Sequence, residues 1–251
     1  MRSLQVLSWN IERGSRFPAV RETLVEKAPE LLLLQEVDLN ARRSGGRNVA
    51  EELARRLLLN YIFAAEFEEL GQATDPSSAY HGQAILTSLP MRAARVVRFQ
   101  AQSGYWRPRW FLPNWPILQR RRGGRLALVA EVGEQEAPLV VCNVHLESRG
   151  SERRRLSQLE DLLADLQAYE DSTPVVIAGD FNVSSPSSPV IRRLEQARFR
   201  KALGGAVTTK RGATLDWIFV RGDMTFRDAV VHEDVKASDH YPLTVRLSLT
   251  R

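Results

Sequence analysis

A carboxylate and a carboxamide follow one of the most apolar runs in this chain. Residues 175–178 read Val-Val-Ile-Ala and are followed by Gly179, Asp180, Phe181 and Asn182. Short runs rich in β-branched residues are typical of buried strands. Because side chains alternate along a strand, Asp180 and Asn182 leave on one face while Phe181 points the other way, toward a core. Two hard oxygen groups on one face suit a divalent cation or a phosphoryl group, although the same tetrapeptide also forms turns.

Five other predicted strand boundaries carry side chains of similar chemistry. They are Asn10 after residues 4–9, Glu36 after residues 31–34, His145 after residues 139–144, Asp216 inside the start of residues 214–220, and Asp239 with His240 before the last apolar run. A lone Asn or Asp at a strand end usually caps or turns the chain. Six such boundaries together favour one site, built where several strands end.

The elements that must position these side chains alternate between strand and helix patterns. Helices are predicted from Pro18, which suits a first helical position, over residues 48–59, over residues 153–169 with Ser151 as N-cap, and over residues 189–197. Strand patterns fill most of the remainder. Antiparallel-looking strands near the end, combined with crossover helices earlier, predict an α/β fold of two packed sheets with outer helices.

Composition indicates an ordinary globular protein. The 251 residues are 43% hydrophobic and 26% charged, without a repeat or linker, so we expect a single domain over residues 1–251. One cysteine, Cys142, excludes an internal disulfide framework and a cysteine-based zinc cluster. No apolar run is long enough for a transmembrane helix and no signal peptide is evident, so the expected location is cytoplasmic. No pattern suggests oligomerisation, and a monomer is the default expectation.

Positive charge is concentrated in one part of the chain. Between Pro76 and Ala130 there is no Asp, Glu or Lys, but there are nine arginines. Without these nine, acidic residues outnumber basic ones in a chain whose net charge is +5. A local excess of arginine points to an anionic partner more than to general solubility.

Part of this basic stretch, residues 102–124, also loses regular periodicity. It interleaves arginines with large aromatic residues, and the candidate substrate contacts there are Arg107, Arg109, Trp106 and Trp110. Such a composition can follow a nucleic-acid backbone and stack on bases. It can also enter an anionic membrane surface. A third interpretation is a proline-rich loop with buried tryptophans and solvated arginines.

Seven short motifs occur in an order and spacing that resembles the endonuclease/exonuclease/phosphatase superfamily. They are Trp9-Asn10, Gln35-Glu36, residues 81–86, residues 143–146, residues 179–182, residues 215–218 and residues 238–240. The match extends from residue 4 to residue 249. The resemblance implies a four-layered α/β sandwich, with two mixed or mostly antiparallel sheets flanked by helices. It also implies metal-dependent cleavage of a phosphoester by water.

The resemblance further implies a role for each matching residue. Glu36 is similar to the family's principal metal-ligating carboxylate, with Asn10 and Asp239 close to the ion. Asp180 resembles the group that orients or deprotonates the attacking water, and Asn182 would help to hold water and phosphate.

Two histidines complete the implied catalytic set. His145 and His240 would contact the phosphoryl oxygens, and Asp216 would orient His240. A histidine paired with a carboxylate stays cationic to higher pH, so it can donate to a developing oxyanion.

The chemistry of the donor groups agrees with a hard metal. Attack on an anionic phosphodiester needs charge neutralisation, in-line positioning and a base. Mg²⁺ or Mn²⁺, as one or two ions, suits carboxylate and carboxamide ligands. A zinc site is disfavoured because the implied catalytic set offers only His145 and His240, and no useful cysteine.

Several weaker candidates for substrate contact have equally plain structural interpretations. Asn143, His145 and Glu147 alternate onto one strand face, but Glu147 also suits a helix cap or the surface. His81 suits either the cleft or a loop. Arg153 begins a helix, where a cation opposes the macrodipole. That position makes sense against phosphate, but a solvated charge run explains it as well.

The substrate is less defined than the chemistry. The motif Asn143-Val144-His145-Leu146 looks like the form found in deoxyribonuclease-I-like nucleases, sphingomyelinases, deadenylases and 5′-tyrosyl-DNA phosphodiesterases. About fifteen residues from His145 are most similar to the last group, which usually has Thr where this chain has Phe181. We expect hydrolysis of phosphodiester bonds in nucleic acid. The alternatives are a phospholipid or small phosphate ester as substrate and, more remotely, a catalytically silent nucleic-acid-binding module.

Overall fold

The computed structural model describes residues 2–74, 77–103 and 120–249. These residues contain fourteen strands and four α-helices. In chain order the strands are β1 (Arg2–Asn10), β2 (Leu31–Ala41), β3 (Arg47–Asn48), β4 (Asn60–Glu69), β5 (Tyr80–Thr87), β6 (Met91–Arg98), β7 (Arg121–Gly123), β8 (Leu126–Gly133), β9 (Pro138–His145), β10 (Val175–Asp180), β11 (Arg200–Leu203), β12 (Asp216–Arg221), β13 (Met224–Val231) and β14 (Leu243–Leu249). The helices are α1 (Phe17–Lys27), α2 (Val49–Leu57), α3 (Glu152–Asp165) and α4 (Pro189–Gln196).

The strands form two mixed sheets. The eight-stranded sheet has the order β13–β14–β1–β2–β5–β4–β7, with β3 paired to β2. The six-stranded sheet has the order β11–β12–β10–β9–β8–β6. Within each sheet one central pair is parallel, β1 with β2 and β9 with β10, and the other described pairs are antiparallel.

Apolar side chains fill the space between the two sheets and both outer faces. In β10, Val176 and Ala178 belong to the cluster between the sheets, whereas Val175 and Ile177 face the cluster shared with α3 and α4. A strand buried on both faces therefore has an uninterrupted apolar sequence. Helices α1 and α2 cover the outer face of the eight-stranded sheet in a third cluster. The layers run helix, sheet, sheet, helix, which confirms the predicted four-layered sandwich.

Helix boundaries follow the sequence signals closely but not completely. Helix α1 has Pro18 in its first turn, as predicted. Helix α3 ends earlier than predicted, at Asp165, and continues as a 3₁₀ turn over Leu166–Ala168. Ser151 lies at the N-cap of α3, but its side chain makes no capping hydrogen bond. No helix within the described ranges is long and apolar enough to cross a membrane.

Candidate active site

Three of the predicted site residues lie in one row at the edge of the six-stranded sheet. In the strand registers Asp180 is opposite His145 of β9 and opposite Asp216 of β12. Because β12 runs antiparallel to β10, its first residue reaches the edge where β10 ends. Gly179 allows this close approach, since its φ is +144° and a Cβ there would lie 2.0 Å from the Val144 carbonyl oxygen.

The eight-stranded sheet brings Asn10 and His240 to the same edge. Asn10, the last residue of β1, donates from Nδ2 to Asp180 Oδ2 at 3.2 Å, across the gap between the sheets. The segment before β14 is tied to β1 by two buried hydrogen bonds. Trp9 Nε1 donates to the His240 carbonyl at 2.9 Å, and Ser238 Oγ donates to the Asn10 carbonyl at 2.7 Å.

Asp180 is the point on which these groups converge. His145 Nε2 and His240 Nε2 lie 3.6 Å and 3.8 Å from Asp180 Oδ2, beyond the range of a good hydrogen bond. Burial, reinforced by the negative charge of Asp216, raises the pKa of Asp180 to about 7, although His240 acts in the opposite direction. A carboxylate with a pKa near neutrality is suited to accept a proton from water.

His240 is paired with a carboxylate. Its Nδ1 lies 2.8 Å from Asp216 Oδ2, and Thr208 Oγ1 donates to the same oxygen at 2.6 Å. Burial disfavours the charged imidazole, but the charge and hydrogen bond of Asp216 outweigh it and raise the pKa of His240 to about 10. His240 is therefore an imidazolium at neutral pH and directs an N–H group toward Asp180.

His145 has the opposite kind of partner. Arg125 Nη1 lies 2.8 Å from His145 Nδ1 and donates to Glu66 Oε2 at 2.8 Å. A guanidinium has donors and no acceptor, so Nδ1 must accept and the proton of the neutral ring is on Nε2. Burial, followed by the charge of Arg125, holds the pKa of His145 well below its ordinary value. His145 thus directs a neutral N–H group toward Asp180.

Asn182 supports Asp180 through its backbone. The Asn182 N–H donates to Asp180 Oδ1 at 2.9 Å, and Asn182 Nδ2 donates to the Leu146 carbonyl at 3.0 Å. The residue has a left-handed φ of 51°, a conformation that asparagine tolerates better than most residues. Between them Phe181 is fully buried, with its ring centroid 5.7 Å from that of Phe219. The predicted inward direction of Phe181 is confirmed.

Glu36 is presented by an irregularity in β2. The pairing with β5 shifts between Leu34 and Val37, and Glu36 in this bulge has a left-handed φ of 53°. Bulges redirect side chains, often beside functional sites. Arg13 Nε lies 3.6 Å from Glu36 Oε2. Burial would raise the pKa of Glu36, but the charges of His81 and Arg13 lead a larger combined effect that lowers it, so the side chain remains a carboxylate.

The residues that could hold a metal form two sets. In the part of the chain that the structure describes, ligand atoms of Asp180, Asp216 and His240 lie within 4.8 Å of one another and could hold an ion. This set differs from the predicted ligands Glu36, Asn10 and Asp239. The predicted ligands Glu36, Asn10 and Asp239 offer only the hard oxygen donors that Mg²⁺ prefers, whereas this set includes an imidazole.

That oxygen-donor set suits a hard cation on two observations. Glu36 is ionised although partly buried, and Asp239 is a half-buried carboxylate that accepts from Ser238 Oγ at 3.3 Å.

Within the described ranges, Asp216 Oδ1 is a buried oxygen without a hydrogen-bond partner. An acceptor left in this way is one that a bound water or substrate group would satisfy.

Two predicted substrate contacts are used within the protein instead. The Asn143 carboxamide donates to the Leu34 and Ala84 carbonyls at 2.9 Å and 3.0 Å, which joins β9 to the other sheet. Glu147 is fully buried and accepts from the backbone N–H groups of Ser103 and Arg149, each at 3.1 Å. The structure therefore does not bring Asn143 or Glu147 to the Asp180 cluster.

The remaining predicted contacts lie elsewhere. His81 is buried in β5, where Nδ1 is 3.0 Å from Asp38 Oδ1, and it lines a cavity beside Glu36. Arg153 is exposed in the first turn of α3. The other four predicted contacts lie outside the described residues; they are Arg107, Arg109, Trp106 and Trp110.

Sequence reasoning missed the partners of the histidines. Arg125, Glu66 and Thr208 come from three separate elements or loops, and none belongs to the motifs. Arg125 was visible only as one of nine arginines in the basic stretch. No sequence signal distinguishes it from the others, because its burial depends on contacts 59 and 20 residues away.

Comparisons with solved structures show the same fold in proteins of low sequence identity. An endonuclease/exonuclease/phosphatase from Beutenbergia cavernae has a TM-score of 0.72 at 18% identity, covering 99% of this chain and 72% of that one. The human Nocturnin catalytic domain gives 0.74 at 20%, covering 99% and 94%. ANGEL2, a 2′,3′-cyclic phosphatase, gives 0.71 at 18%, covering 98% and 95%.

Family models identify the chain more directly. No curated protein gives a significant match. The model described as the Endonuclease/Exonuclease/phosphatase family matches residues 7–240, nearly the whole chain. The chain therefore belongs to the endonuclease/exonuclease/phosphatase family.

Proposed function

We propose that this protein hydrolyses phosphodiester bonds in nucleic acid with an activated water and a bound divalent cation. Membership of the family indicates a hydrolase that acts on phosphoesters. The observation that carries the proposal is the convergence on Asp180 Oδ2, where Asn10, His145 and His240 bring one carboxamide and two imidazole N–H groups within 3.8 Å. Residues 1–251 act as one catalytic domain, since both sheets contribute to this cluster.

Asp180 acts as the general base. Its raised pKa, about 7, allows it to be ionised in the resting enzyme and still basic enough to take a proton from water. Asn10 and the backbone of Asn182 hold one oxygen each, which fixes the direction of the carboxylate. A positioned base contributes about 10²–10⁴-fold to the rate.

The two histidines bind the phosphoryl oxygens. Their Nε2 atoms are too far from Asp180 for good hydrogen bonds, so both N–H groups remain available to an incoming anion. His240 donates as a cation, which stabilises the charge that develops in the transition state. His145 donates as a neutral group and fixes the orientation of the phosphate.

Glu36, Asn10 and Asp239 would hold the divalent cation. Mg²⁺ or Mn²⁺, as one or two ions, would supply Lewis-acid stabilisation of the phosphoryl group. Glu36 is prepared for this role because the bulge in β2 directs it outward and the surrounding cations keep it ionised.

Nucleic acid is the proposed substrate and partner because of the charge distribution. Nine arginines fall in a stretch without acidic residues, and six arginines line the cavity beside Glu36. The similar fold of ANGEL2, a 2′,3′-cyclic phosphatase, supports hydrolysis of a phosphoester by this protein. A monomer in the cytoplasm stays the proposed setting, which suits the buried free thiol of Cys142.

A substrate panel tests this function. Plasmid and single-stranded DNA, 5′-tyrosyl DNA, RNA, sphingomyelin and inositol phosphates are incubated with the protein, with Mg²⁺ or with EDTA. We expect cleavage of at least one nucleic acid that stops in EDTA and is lost in Asp180→Asn. Turnover of lipid with inert nucleic acids would contradict the substrate assignment, and near-normal activity of Asp180→Asn would contradict the assignment of the base.

A further inference from the structure

A cavity of about 620 Å³ opens beside the Asp180 cluster and is lined by charged and polar groups. Six arginines line it: Arg13, Arg43, Arg120, Arg121, Arg125 and Arg149. We propose that this arginine cavity binds a second phosphate group of the substrate, next to the phosphate that is hydrolysed. This inference rests on the proposed function.

Two of the guanidinium groups are held by buried carboxylates. Arg43 forms a bidentate pair with Asp38, at 2.7 Å for both bonds, and reaches Glu69 at 3.2 Å. Arg121 Nη2 lies 2.6 Å from the same Glu69 oxygen. Asp38 and Glu69 are 0% and 3% exposed. Asp38 lies behind the wall and Glu69 forms part of it, and both carboxylates hold the guanidiniums in place. Fixed guanidinium geometry is the usual requirement for bidentate recognition of phosphate.

Phe67 supplies a common platform for the same wall. The guanidinium carbons of Arg121 and Arg125 lie 5.1 Å and 5.3 Å from the Phe67 ring centroid. The His81 ring stacks on Phe67 with centroids 6.2 Å apart. These contacts restrict the arginine side chains before a ligand arrives, which reduces the conformational entropy lost on binding.

The cavity has more positive than negative charge. Six arginines line it, against the two carboxylates Glu36 and Glu69 in the lining, with Asp38 and Glu66 behind. Burial first, and then the nearby Arg43 and Arg125, lower the pKa of Arg121 in spite of Glu69. Crowded cations that repel one another in this way are stabilised when an anion binds among them.

The lining also indicates what kind of group binds. The described lining residues are charged or polar, apart from Gly71, and include no apolar side chain for an acyl chain and no Phe, Tyr or Trp ring for a base. A phosphocholine headgroup would bring a quaternary ammonium against the arginines, which is electrostatically unfavourable. The cavity suits a phosphate group, and it would bind that group regardless of the base attached to the nucleotide.

The position of the cavity relates it to the reaction. Arg125 lines the cavity and also contacts Nδ1 of His145, whose other nitrogen faces Asp180. Glu36, the proposed metal ligand, lies in the same wall. A phosphate in the cavity is therefore adjacent to the one at the Asp180 cluster, as neighbouring phosphates are along a nucleotide chain.

Calorimetric binding of pyrophosphate to the metal-free, 251-residue protein in EDTA tests the cavity without requiring turnover. We expect binding that weakens about tenfold in Arg121→Gln, the loss of roughly one charged hydrogen bond, and less in Arg121→Lys. Arg227→Gln is the matched control, since Arg227 is exposed in β13, at the opposite end of the eight-stranded sheet from β7, which carries Arg121. Equal affinity in Arg121→Gln and wild type, or no binding to wild type, would overturn the proposal.

Hydrolysis of thymidine dinucleotides separates this proposal from the proposed function. The dinucleotide is supplied without a terminal phosphate, with a 5′-phosphate or with a 3′-phosphate. One terminal phosphate should raise kcat/KM about tenfold, and Arg121→Gln should remove that difference. Cleavage of all three at one rate would overturn the second-phosphate site and leave the proposed function standing. Pyrophosphate binding that depends on Arg121, without cleavage of any nucleic acid, would leave the site standing and overturn the function.

Discussion

The two histidines of the candidate site differ in what lies behind them. His240 is backed by Asp216 at 2.8 Å, which raises its pKa to about 10. His145 is backed by Arg125 at 2.8 Å, and its pKa is held well below the ordinary value, by burial and then by that charge. Both Nε2 atoms nevertheless point at one oxygen of Asp180.

This difference shows that the second partner of a buried imidazole decides its charge. A ring whose Nδ1–H donates to a carboxylate becomes a cationic donor. A ring whose Nδ1 accepts from a guanidinium remains neutral and donates from Nε2. Each arrangement also links the two sheets. Asp216 lies in the six-stranded sheet and its partner His240 precedes β14 of the other sheet. His145 lies in the six-stranded sheet, and Arg125 joins it to Glu66 in β4 of the other sheet. The charge states therefore depend on how the sheets pack.

The largest expected effect is on stability, at the His145 side. Arg125→Met would remove the guanidinium that pairs with Glu66, in a site where the two residues are 4% and 2% exposed. Loss of one member of a buried pair costs about 3–5 kcal/mol. We expect the free energy of unfolding in urea to fall by that amount.

The matched control for that change is a double substitution. Arg125→Met combined with Glu66→Gln removes both charges, so much of the lost stability should return. A double variant as unstable as Arg125→Met alone would show that packing, and not the ion pair, explains the loss.

The next effect separates the two histidines by activity. Glutamine can replace a neutral N–H donor but cannot replace a cation. His240→Gln should therefore lower kcat/KM by about 10²–10³-fold, as for the loss of one oxyanion-stabilising donor. Steady-state hydrolysis of the best nucleic-acid substrate measures this, with circular dichroism as the check on folding. A loss no greater than that of the corresponding His145 variant would remove the distinction.

Asp216→Asn should shift the pH profile by removing the cause of the charge on His240. In the wild type, activity should rise as Asp180 ionises near pH 7 and fall as His240 loses its proton near pH 10. Without Asp216, burial lowers the pKa of His240, so the alkaline fall should begin at lower pH. The profile of kcat/KM measures the shift, and an unchanged alkaline limb would contradict the pairing.

The smallest effect is expected at His145. In His145→Gln the side-chain amide can still donate a neutral hydrogen bond, so kcat/KM should fall only about three- to tenfold. His145→Phe keeps a ring of similar size without the donor and should be the more damaged of the two. Equal activity of the two variants would show that the N–H group of His145 makes no contribution.

Strand alternation predicted the central cluster well because the cluster depends on local pattern. Asp180, His145 and Asp216 lie at the ends of apolar runs, and strand pairing places those ends at one edge. Asn143 shows the limit of that reasoning. It shares a strand face with His145, but two residues further inside, its carboxamide lies between the sheets. Alternation specifies the face of a strand and not the depth along it.

The partners of the histidines could not be predicted for a related reason. Arg125 and Glu66 are 59 residues apart and meet only because the two sheets pack on each other. The outward direction of Glu36 likewise depends on one extra residue in the pairing of β2 with β5. Bulges and inter-sheet contacts have no periodic signature, so the sequence indicated the charged groups but not their pairing.

Nitrogen-15 NMR of the histidine rings in the metal-free protein tests this account most directly. The spectra are recorded at a pH between the pKa of Asp180, about 7, and the pKa of His240, about 10. The protein has four histidines, and the His145→Gln and His240→Gln variants identify the signals of these two. We expect His240 to carry protons on both ring nitrogens and His145 to carry one, on Nε2. A charged His145, a proton on its Nδ1, or a neutral His240 would contradict the claim that Arg125 and Asp216 set opposite charge states.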